Sequence, residues 1–333
     1  MKVIVLLAGF GTRMRPHTWS RPKALLHVAG KTILGHVLDE LAAVTTEEVV
    51  FVVGYKGDEI ELWVREHYSH LDVHFVVQER ALGQAHAVWQ CRDFLDGGEI
   101  LLAFGDGVVK ADFAGLPRPD ADATFTVDEV EDPRSFGVVV LDEEGYATEF
   151  IEKPSTLEHK KAIAGINWFR DSHMLRDAIQ IVLDEQLRTK GEYYMVDAYR
   201  VMLEQGARIT TSEVVFWLDA GQPDNLLYTN RRLLALGYAS EDALERSFGE
   251  GFTVVPPVFL HPDCDIESSV VGPFTSVGPG VTICGSVVRN SVIDQNASIE
   301  TVILDGALVG ENVEVSGKAK TVFIGDDSKV ELG

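Results

Sequence analysis

The chain has 333 residues, 46% of them hydrophobic, which is enough for one large domain and a smaller second one. Its formal net charge of -23 at pH 7 suits it poorly to a nucleic-acid backbone or an anionic membrane, so we expect no partner of either kind. Its three cysteines are sparse and widely spaced, which argues against a disulfide framework and against a zinc site.

Up to about residue 230, short apolar runs alternate with amphipathic segments, which predicts an α/β domain with a largely parallel sheet. The predicted strands are Val3–Leu7, Val49–Val53, Val73–Val77, Ile100–Phe104 and Ala123–Val127. The predicted helices between them are Thr32–Ala43, Glu59–Tyr68 and Gln84–Phe94. No run approaches 18 uninterrupted apolar residues, so we expect no membrane span and a cytoplasmic location.

A glycine-rich turn follows the first predicted strand. Gly9 and Gly11 would let the backbone approach a ligand and aim N–H groups at phosphate oxygens. Arg13 and Lys23 would add positive charge where a triphosphate needs it. The spacing matches neither the G-x-G-x-x-G fingerprint nor a Walker A loop. Taken alone, this stretch could also be a strand-to-helix turn with surface basic residues.

The pattern changes near residue 252. Before it, Leu226 to about Phe248 looks helical and is interpreted as the connector to a second domain. After it, Val271-Gly272, Val277-Gly278 and Ile283-Cys284 recur six residues apart, a hexapeptide period that predicts a left-handed parallel β-helix. Because the repeats are irregular, a generic β-rich tail is the alternative.

Six short motifs, in order, resemble the signature of the sugar-1-phosphate nucleotidyltransferases. They are Leu6–Arg13 with Pro22-Lys23, Gln78–Ala85, Phe104–Asp106, Phe136–Val138 with Glu149–Pro154, Gly191–Tyr194, and Trp217–Gly221. Two positions depart from the family pattern, because Leu7 replaces the usual alanine and Ala8 the usual first glycine. The motifs cover about two thirds of the chain, and long members of this family carry a β-helical tail of the predicted kind.

The resemblance implies an enzyme with an α/β, Rossmann-like, mostly parallel nucleotidyltransferase domain at residues 1–236, a connector at 237–251 and a left-handed β-helix at 252–333. It implies Mg²⁺-dependent transfer of a nucleoside monophosphate, from dTTP or UTP by preference, to glucose 1-phosphate or a related sugar 1-phosphate. Pyrophosphate would leave. The flat sides of such a β-helix suggest a homo-oligomer.

The resemblance also assigns residues to three tasks. Catalysis is assigned to Arg13, Lys23 and Asp106. Nucleotide binding is assigned to Leu7, Ala8, Gly9, Gly11, Thr12, Arg13, Gln78 and Gly83. Sugar-phosphate binding is assigned to Gly137, Glu152, Lys153 and Trp217, and Mg²⁺ binding to Asp106 and Asp219.

The residue types suit these tasks. Arg13 would neutralise the β- and γ-phosphates, and Lys23 the charge that builds on the α-phosphate. Magnesium prefers a few carboxylates plus waters and phosphates over a full protein cage, which suits Asp106 and Asp219. The Gln78 amide both donates and accepts, as the edge of a pyrimidine requires.

Two alternatives stay open at this point. A β-helix that also transfers acetyl groups would need a long stack and a catalytic histidine, but the only tail histidine is His261, at its start. A regulatory or assembly subunit that has lost catalysis would be expected to lose Arg13, Lys23 or the two aspartates. Asp197, before Ala198–Leu203, is interpreted as a helix cap rather than a catalyst.

Overall fold

The computed structural model describes residues 1–42, 44 and 48–318. Ala43 at the end of the first predicted helix and residues 319–333 of the predicted β-helix lie outside the described residues. The chain divides into two compact units, Met1–His27 with Lys31–Thr229, and Val28–Gly30 with the residues from Asn230 onward. Among the described residues, no helix is both long enough and apolar enough to span a membrane.

The elements up to residue 233 are, in chain order, β1 Lys2–Leu7, β2 His27–Val28, β3 Lys31–Thr32, α1 Ile33–Leu41, β4 Val49–Val53, α2 Gly57–His67, β5 Val73–Val77, α3 Gln84–Gln90, β6 Ile100–Phe104, β7 Gly107–Lys110, β8 Ala123–Glu129, β9 Gly137–Leu141, β10 Ala147–Glu152, β11 Lys161–Phe169, α4 Ser172–Asp184, α5 Met195–Glu204, β12 Ile209–Glu213, β13 Phe216–Asp219 and α6 Pro223–Leu233. Three predicted strands have the observed bounds, β1 starts one residue earlier than predicted, and β8 runs on to Glu129.

The first unit is built on one mixed sheet. Its strand order is β10-β9-β11-β6-β1-β4-β5, with β8 pairing β11 and β12. The half that contains β6, β1, β4 and β5 is parallel, as predicted, whereas β11 runs antiparallel to β6. The predicted Rossmann-like α/β fold is confirmed.

The core lies on both faces of this sheet because successive side chains of a strand point to opposite sides. In β1, Ile4 and Leu6 face a cluster that includes residues of α3, α4 and α5. Val3, Val5 and Leu7 face a second cluster, which includes residues of α1 and α2. Burial on both faces explains why the strands read as continuous apolar runs rather than alternating ones.

The predicted helix from Leu226 to Phe248 is broken. After α6, Leu234–Tyr238 forms a widened turn in which Gly237 has φ +104°, and α7 begins afresh at Ala243–Glu250. A left-handed residue cannot continue a right-handed helix, so the chain changes direction at Gly237.

Up to residue 318, the second unit contains three four-stranded parallel sheets. Their strands are β14 Thr253–Val254, β15 Val258–Leu260, β16 Asp265–Glu267, β17 Val270–Val271, β18 Thr275–Val277, β19 Thr282–Cys284, β20 Val287–Arg289, β21 Val292–Ile293, β22 Ser298–Glu300, β23 Ile303–Asp305, β24 Leu308–Val309 and β25 Glu314–Ser316. Every third strand pairs, so Ile266, Ile283 and Ile299 stack in register and are buried. Each coil covers the apolar face of the next. The predicted left-handed β-helix is confirmed.

Candidate active site

Residues from four chain segments meet at the carboxyl edge of the parallel strands. The register of β6, β1, β4 and β5 puts Asp106, Ala8, Gly54 and Gln78 in one row just beyond the strand ends. Neighbouring strands are about 4.8 Å apart, so three strand spacings separate the backbones of Gln78 and Asp106 by about 14 Å at the two ends of the row. The predicted base-recognition and metal-binding segments therefore share one edge, with the glycine loop between them.

The glycine loop folds back against Lys23. Gly11 has φ +60°, and a Cβ on it would lie 3.1 Å from Thr18 Cγ2 and 3.2 Å from Lys23 Cβ. Thr18 Oγ1 donates a hydrogen bond to the Gly11 carbonyl oxygen (2.8 Å). A Cβ on Gly9 would meet no atom within 4 Å. Backbone conformation and packing thus explain Gly11, while Gly9 leaves the loop open to an approaching ligand.

Gly54 is a loop residue that the sequence analysis missed. A Cβ at this position would lie 2.7 Å from the Ala8 carbonyl oxygen, so only glycine lets the two loops lie side by side. The next residue, Tyr55, donates from its hydroxyl to the Trp19 carbonyl oxygen (3.0 Å), and its ring lies 5.9 Å from that of Phe10. A glycine directly after a predicted strand was the available signal.

Lys23 and Asp106 form an ion pair, with Nζ 3.4 Å from Oδ2. Lys23 opens a short 3₁₀ turn, Lys23–Leu25, and its side chain is largely buried. The antiparallel pair of β7 and β13 puts Asp219 opposite Gly107, and the Ala220 N–H donates to the Asp106 carbonyl oxygen (3.3 Å). The pairing brings together Lys23 and two aspartates that are far apart in sequence.

The Asp219 carboxylate is held by its own neighbours. Oδ1 accepts from the Gly221 N–H (2.9 Å), and Oδ2 accepts from Asn225 Nδ2 (2.5 Å). A Cβ on Gly221 would lie 2.9 Å from Asp219 Oδ1 and 3.2 Å from Arg13 Nη2, so a glycine here lets Arg13 approach this carboxylate. Asn225, in the first turn of α6, is a further residue that the sequence analysis missed.

Asp106 and Asp219 supply carboxylate oxygens, the ligand type that Mg²⁺ prefers, and their role as its ligands stays a prediction. The described residues contain no group of three or more His, Cys, Asp or Glu side chains that could enclose a metal. Two aspartates that leave most coordination positions to water and phosphate are the arrangement that Mg²⁺ tolerates best, since it dehydrates reluctantly.

Three of the four predicted sugar-phosphate residues, Gly137, Glu152 and Lys153, lie together at the β9–β10 hairpin, where Gly137 pairs with Glu152. A Cβ on Gly137 would lie 3.1 Å from Glu152 Oε2 and 2.9 Å from Val196 Cγ2. Lys153 Nζ lies 3.4 Å from Glu152 Oε1 and donates to the Tyr194 hydroxyl (2.8 Å). Tyr194 belongs to one of the six motifs, to which the sequence assigns no role. Its contact with Lys153 brings it into this cluster.

Burial shapes the charges of this cluster. Burial raises the pKa of Glu152 above its ordinary value, and the nearby Lys153 charge offsets only part of that rise. Burial alone would lower the pKa of Lys153, but the hydrogen bond to Tyr194 and the charge of Glu152 outweigh it, and the pKa is raised. The raised pKa keeps Lys153 positively charged, whereas burial makes the ionised form of Glu152 less favourable.

Trp217 lies between the metal and sugar segments. Its ring meets that of Phe136 edge-on, with centroids 4.8 Å apart, and a Cβ on Gly107 would lie 3.4 Å from its Nε1. The side chain also packs against the core cluster on the α1 face of the sheet. Trp217 is thus a core residue that contacts both segments, and its role in sugar-phosphate binding stays a prediction.

Gln78 is buried, and its side chain forms hydrogen bonds within the protein. Nε2 donates to the Gly83 carbonyl oxygen (3.1 Å) and lies 3.0 Å from His86 Nδ1. Gly83 has φ +117°, and a Cβ on it would lie 2.4 Å from the Tyr193 carbonyl oxygen. Packing against Tyr193 therefore accounts for the glycine, and its predicted contact with the base stays a prediction.

The prediction that Asp197 caps a helix is wrong. Tyr194 is the N-cap residue of α5, and Asp197 is the third residue of the helix. Its carboxylate accepts hydrogen bonds from Thr189 Oγ1 (2.8 Å) and Arg200 Nη1 (3.0 Å), so it anchors the preceding loop. The helix starts earlier because Met195 and Val196 are also buried on its core face.

Comparisons with known proteins agree with this geometry. Residues 2–235 match the family model described as nucleotidyl transferase. A Haloferax volcanii protein named low-salt glycan biosynthesis nucleotidyltransferase Agl11 is 30% identical, with 100% of both chains covered. The glucose-1-phosphate thymidylyltransferase of Streptomyces antibioticus is 30% identical over 100% of this chain and 99% of its own.

A solved structure is also similar. It is a Bacillus anthracis protein given as a glucose-1-phosphate thymidylyltransferase, in complex with sucrose. It superposes with a TM-score of 0.60 at 25% identity and covers 72% of this chain and 96% of its own. With the family model matching most of the chain and two relatives aligned over its full length, the chain belongs to the nucleotidyl transferase family.

Proposed function

We propose that this protein transfers a nucleoside monophosphate from dTTP or UTP to a sugar 1-phosphate, glucose 1-phosphate or a close relative, and releases pyrophosphate. The observation that carries the proposal is the Lys23–Asp106 pair beside Asp219, at the same sheet edge as Gln78. Relatives named for glucose 1-phosphate and thymidine support the substrate class.

Both reactants are anions, so the main barrier is the crowding of negative charge along an in-line path. The open backbone at Gly9 and the loop N–H groups bind the phosphates, and Arg13 neutralises the β- and γ-phosphates as pyrophosphate leaves. Lys23 stabilises the charge that builds on the α-phosphate. The protein thus contributes positioning and electrostatics rather than a covalent nucleophile.

Asp106 and Asp219 would hold Mg²⁺. When bound, the ion would neutralise charge on the phosphate oxygens and so favour the departure of pyrophosphate. Around it, the chain keeps Asp219 oriented through Gly221 and Asn225, which fix both carboxylate oxygens before substrate arrives.

The sugar phosphate would bind at the β9–β10 hairpin. Glu152 accepts hydrogen bonds from sugar hydroxyls, and Lys153 pairs with the phosphate. The hydrogen bond from Lys153 to Tyr194 restrains a long side chain that would otherwise lose rotamer freedom on binding. Gly137 keeps this side of the hairpin free of a Cβ beside Glu152.

Pyrophosphate release tests the proposal. A panel of dTTP, UTP, GTP, CTP and ATP is assayed with glucose 1-phosphate and Mg²⁺, beside the variant Lys23→Ala. Release with a pyrimidine triphosphate that needs both sugar phosphate and metal, and is lost in the variant, supports the proposal. If no pyrophosphate is released with glucose 1-phosphate or with other sugar phosphates, and no nucleotide binds, the non-catalytic alternative is favoured.

The organisation of the protein is part of the proposal. We assign catalysis to residues 1–236, a connector to 237–251 and the β-helix to 252–333, with a homo-oligomer formed through the β-helix. Light scattering on the full chain measures the oligomer. A cytoplasmic location stays a prediction, as does the absence of acetyl transfer by the β-helix, which an acetyl-donor assay tests.

A further inference from the structure

The side-chain amide of Gln78 has only one orientation that its surroundings allow. Its neighbour at 3.1 Å is the Gly83 carbonyl oxygen, which can accept a hydrogen bond but cannot donate one. The amide nitrogen must therefore face Gly83, because the reverse orientation would bring two oxygens together. This identifies the nitrogen end without reference to any ligand.

The second proton of the same nitrogen points to His86. Gln78 Nε2 lies 3.0 Å from His86 Nδ1, so Nδ1 accepts and the ring proton lies on Nε2. Burial lowers the pKa of His86, and the charge of Arg80 lowers it further, which keeps the ring neutral and able to accept. Gln90 Nε2 also lies 3.3 Å from His86 Nε2, but it donates to the His86 carbonyl oxygen at the shorter distance of 3.0 Å. A neutral imidazole accepts at one nitrogen only, and the 3.0 Å contact from Gln78 makes Nδ1 that nitrogen.

Both protons of the Gln78 amide are thus used inside the protein. The oxygen Oε1 has no hydrogen-bond partner among the residues that the structure describes. A group that can only accept is therefore what this amide offers to a ligand at the sheet edge. At N3, uracil and thymine carry an N–H donor, whereas cytosine carries an acceptor there and a donor only at the neighbouring N4 amino group.

We infer that His86 is a positioning residue that fixes the Gln78 amide with Oε1 toward N3 of the base, and so selects uracil or thymine nucleotides against cytosine nucleotides. The inference rests on the proposed function for the identity of the ligand. Without an acceptor at position 86, one amide proton loses its partner, and the amide, held by Gly83 alone, can tilt to offer that proton to the base. Discrimination then falls because either base finds a match.

Two variants separate positioning from packing. In His86→Asn, the side-chain Oδ1 can replace Nδ1 as acceptor, whereas His86→Leu keeps bulk and removes it. Calorimetry measures the affinity of the full-length protein and of both variants for UTP and for CTP, so the readout does not depend on turnover. Because His86 is only half-buried, both variants are expected to fold, and their melting temperatures check this.

The expected result is a preference for UTP over CTP in the unsubstituted protein. His86→Asn keeps that ratio, and His86→Leu lowers it by about tenfold, the effect of roughly one hydrogen bond. The inference is overturned if the unsubstituted protein binds CTP as tightly as UTP, if His86→Leu keeps the full ratio, or if both variants lose it equally. Discrimination in binding without pyrophosphate release would instead leave the inference standing and remove the proposed reaction.

Discussion

Lys23 and Asp106 are 83 residues apart in the chain, yet Lys23 Nζ lies 3.4 Å from Asp106 Oδ2. The Lys23 side chain is largely buried, whereas that of Asp106 is 60% exposed. A restrained cation thus points to a carboxylate that stays accessible to ligands. This asymmetry suits a lysine that stabilises phosphate charge beside a carboxylate that binds a metal.

Replacing Lys23 by alanine is expected to lower kcat for pyrophosphate release by about 10² to 10³-fold, because charge that builds on the α-phosphate loses a preorganised cation. Lys31→Ala is the control, since Lys31 also pairs with an aspartate, Asp39, but at an exposed position. That variant should keep kcat. A Lys23→Ala protein within about threefold of the unsubstituted enzyme would contradict the assigned role.

Asn225 is expected to set the metal requirement. Its Nδ2 donates to Asp219 Oδ2, so Asn225→Ala frees the carboxylate to rotate. Loss of such a supporting hydrogen bond typically weakens a metal site by about tenfold or more. Titrating Mg²⁺ in the pyrophosphate assay should show a half-saturating concentration raised by about that factor. An unchanged Mg²⁺ dependence, with reduced activity, would indicate that Asn225 acts elsewhere.

Glu152 is expected to reduce stability at neutral pH. Its pKa is raised in the folded state by burial, so between its ordinary value and the raised one the folded protein binds more protons than the unfolded chain. The free energy of unfolding therefore falls as pH rises through that window. Glu152→Gln removes this loss of stability because glutamine carries no charge.

Calorimetry of Glu152→Gln checks the sign. The variant should melt above the unsubstituted protein at pH 7, and the gap should shrink as pH falls below the ordinary carboxyl pKa, where Glu152 is neutral in both states. A lower melting temperature at pH 7 would mean that the pairing with Lys153 outweighs burial. The same variant should lose activity toward sugar phosphate, because the charged acceptor for sugar hydroxyls is gone.

Gly83 is expected to be far less tolerant of alanine than Gly145. Both have positive φ, +117° and +87°, but a Cβ on Gly83 meets the Tyr193 backbone at 2.4 Å, whereas one on Gly145 meets nothing within 4 Å. Gly145→Ala should cost about 1 to 2 kcal/mol from conformation alone. Gly83→Ala should cost about 1 to 3 kcal/mol more, because the backbone must shift. Urea unfolding measures both, and equal losses would remove the packing explanation.

Much of this protein can be predicted from its sequence, because the signals concerned are local. Apolar runs define β1, β4, β5 and β6, and their ends carry the motif residues. The hexapeptide period defines the β-helix, since each coil repeats the same inward-facing side chains. Asp106 and Asp219 are recognisable because each lies at the end of such a run, Asp106 just beyond β6 and Asp219 as the last residue of β13.

The tertiary structure alone decides which residues support these motifs. Asn225, Tyr194 and His86 contact Asp219, Lys153 and Gln78 through hydrogen bonds, and Gly54 is explained by the Ala8 carbonyl oxygen in the loop after β1. The Tyr194 and Gly54 contacts depend on which segments the fold brings side by side, and the Asn225 and His86 contacts depend on how the chain turns between residues six and eight positions apart. Periodicity along a single chain carries no information about a neighbour across the sheet, so these roles emerge only when the fold is complete.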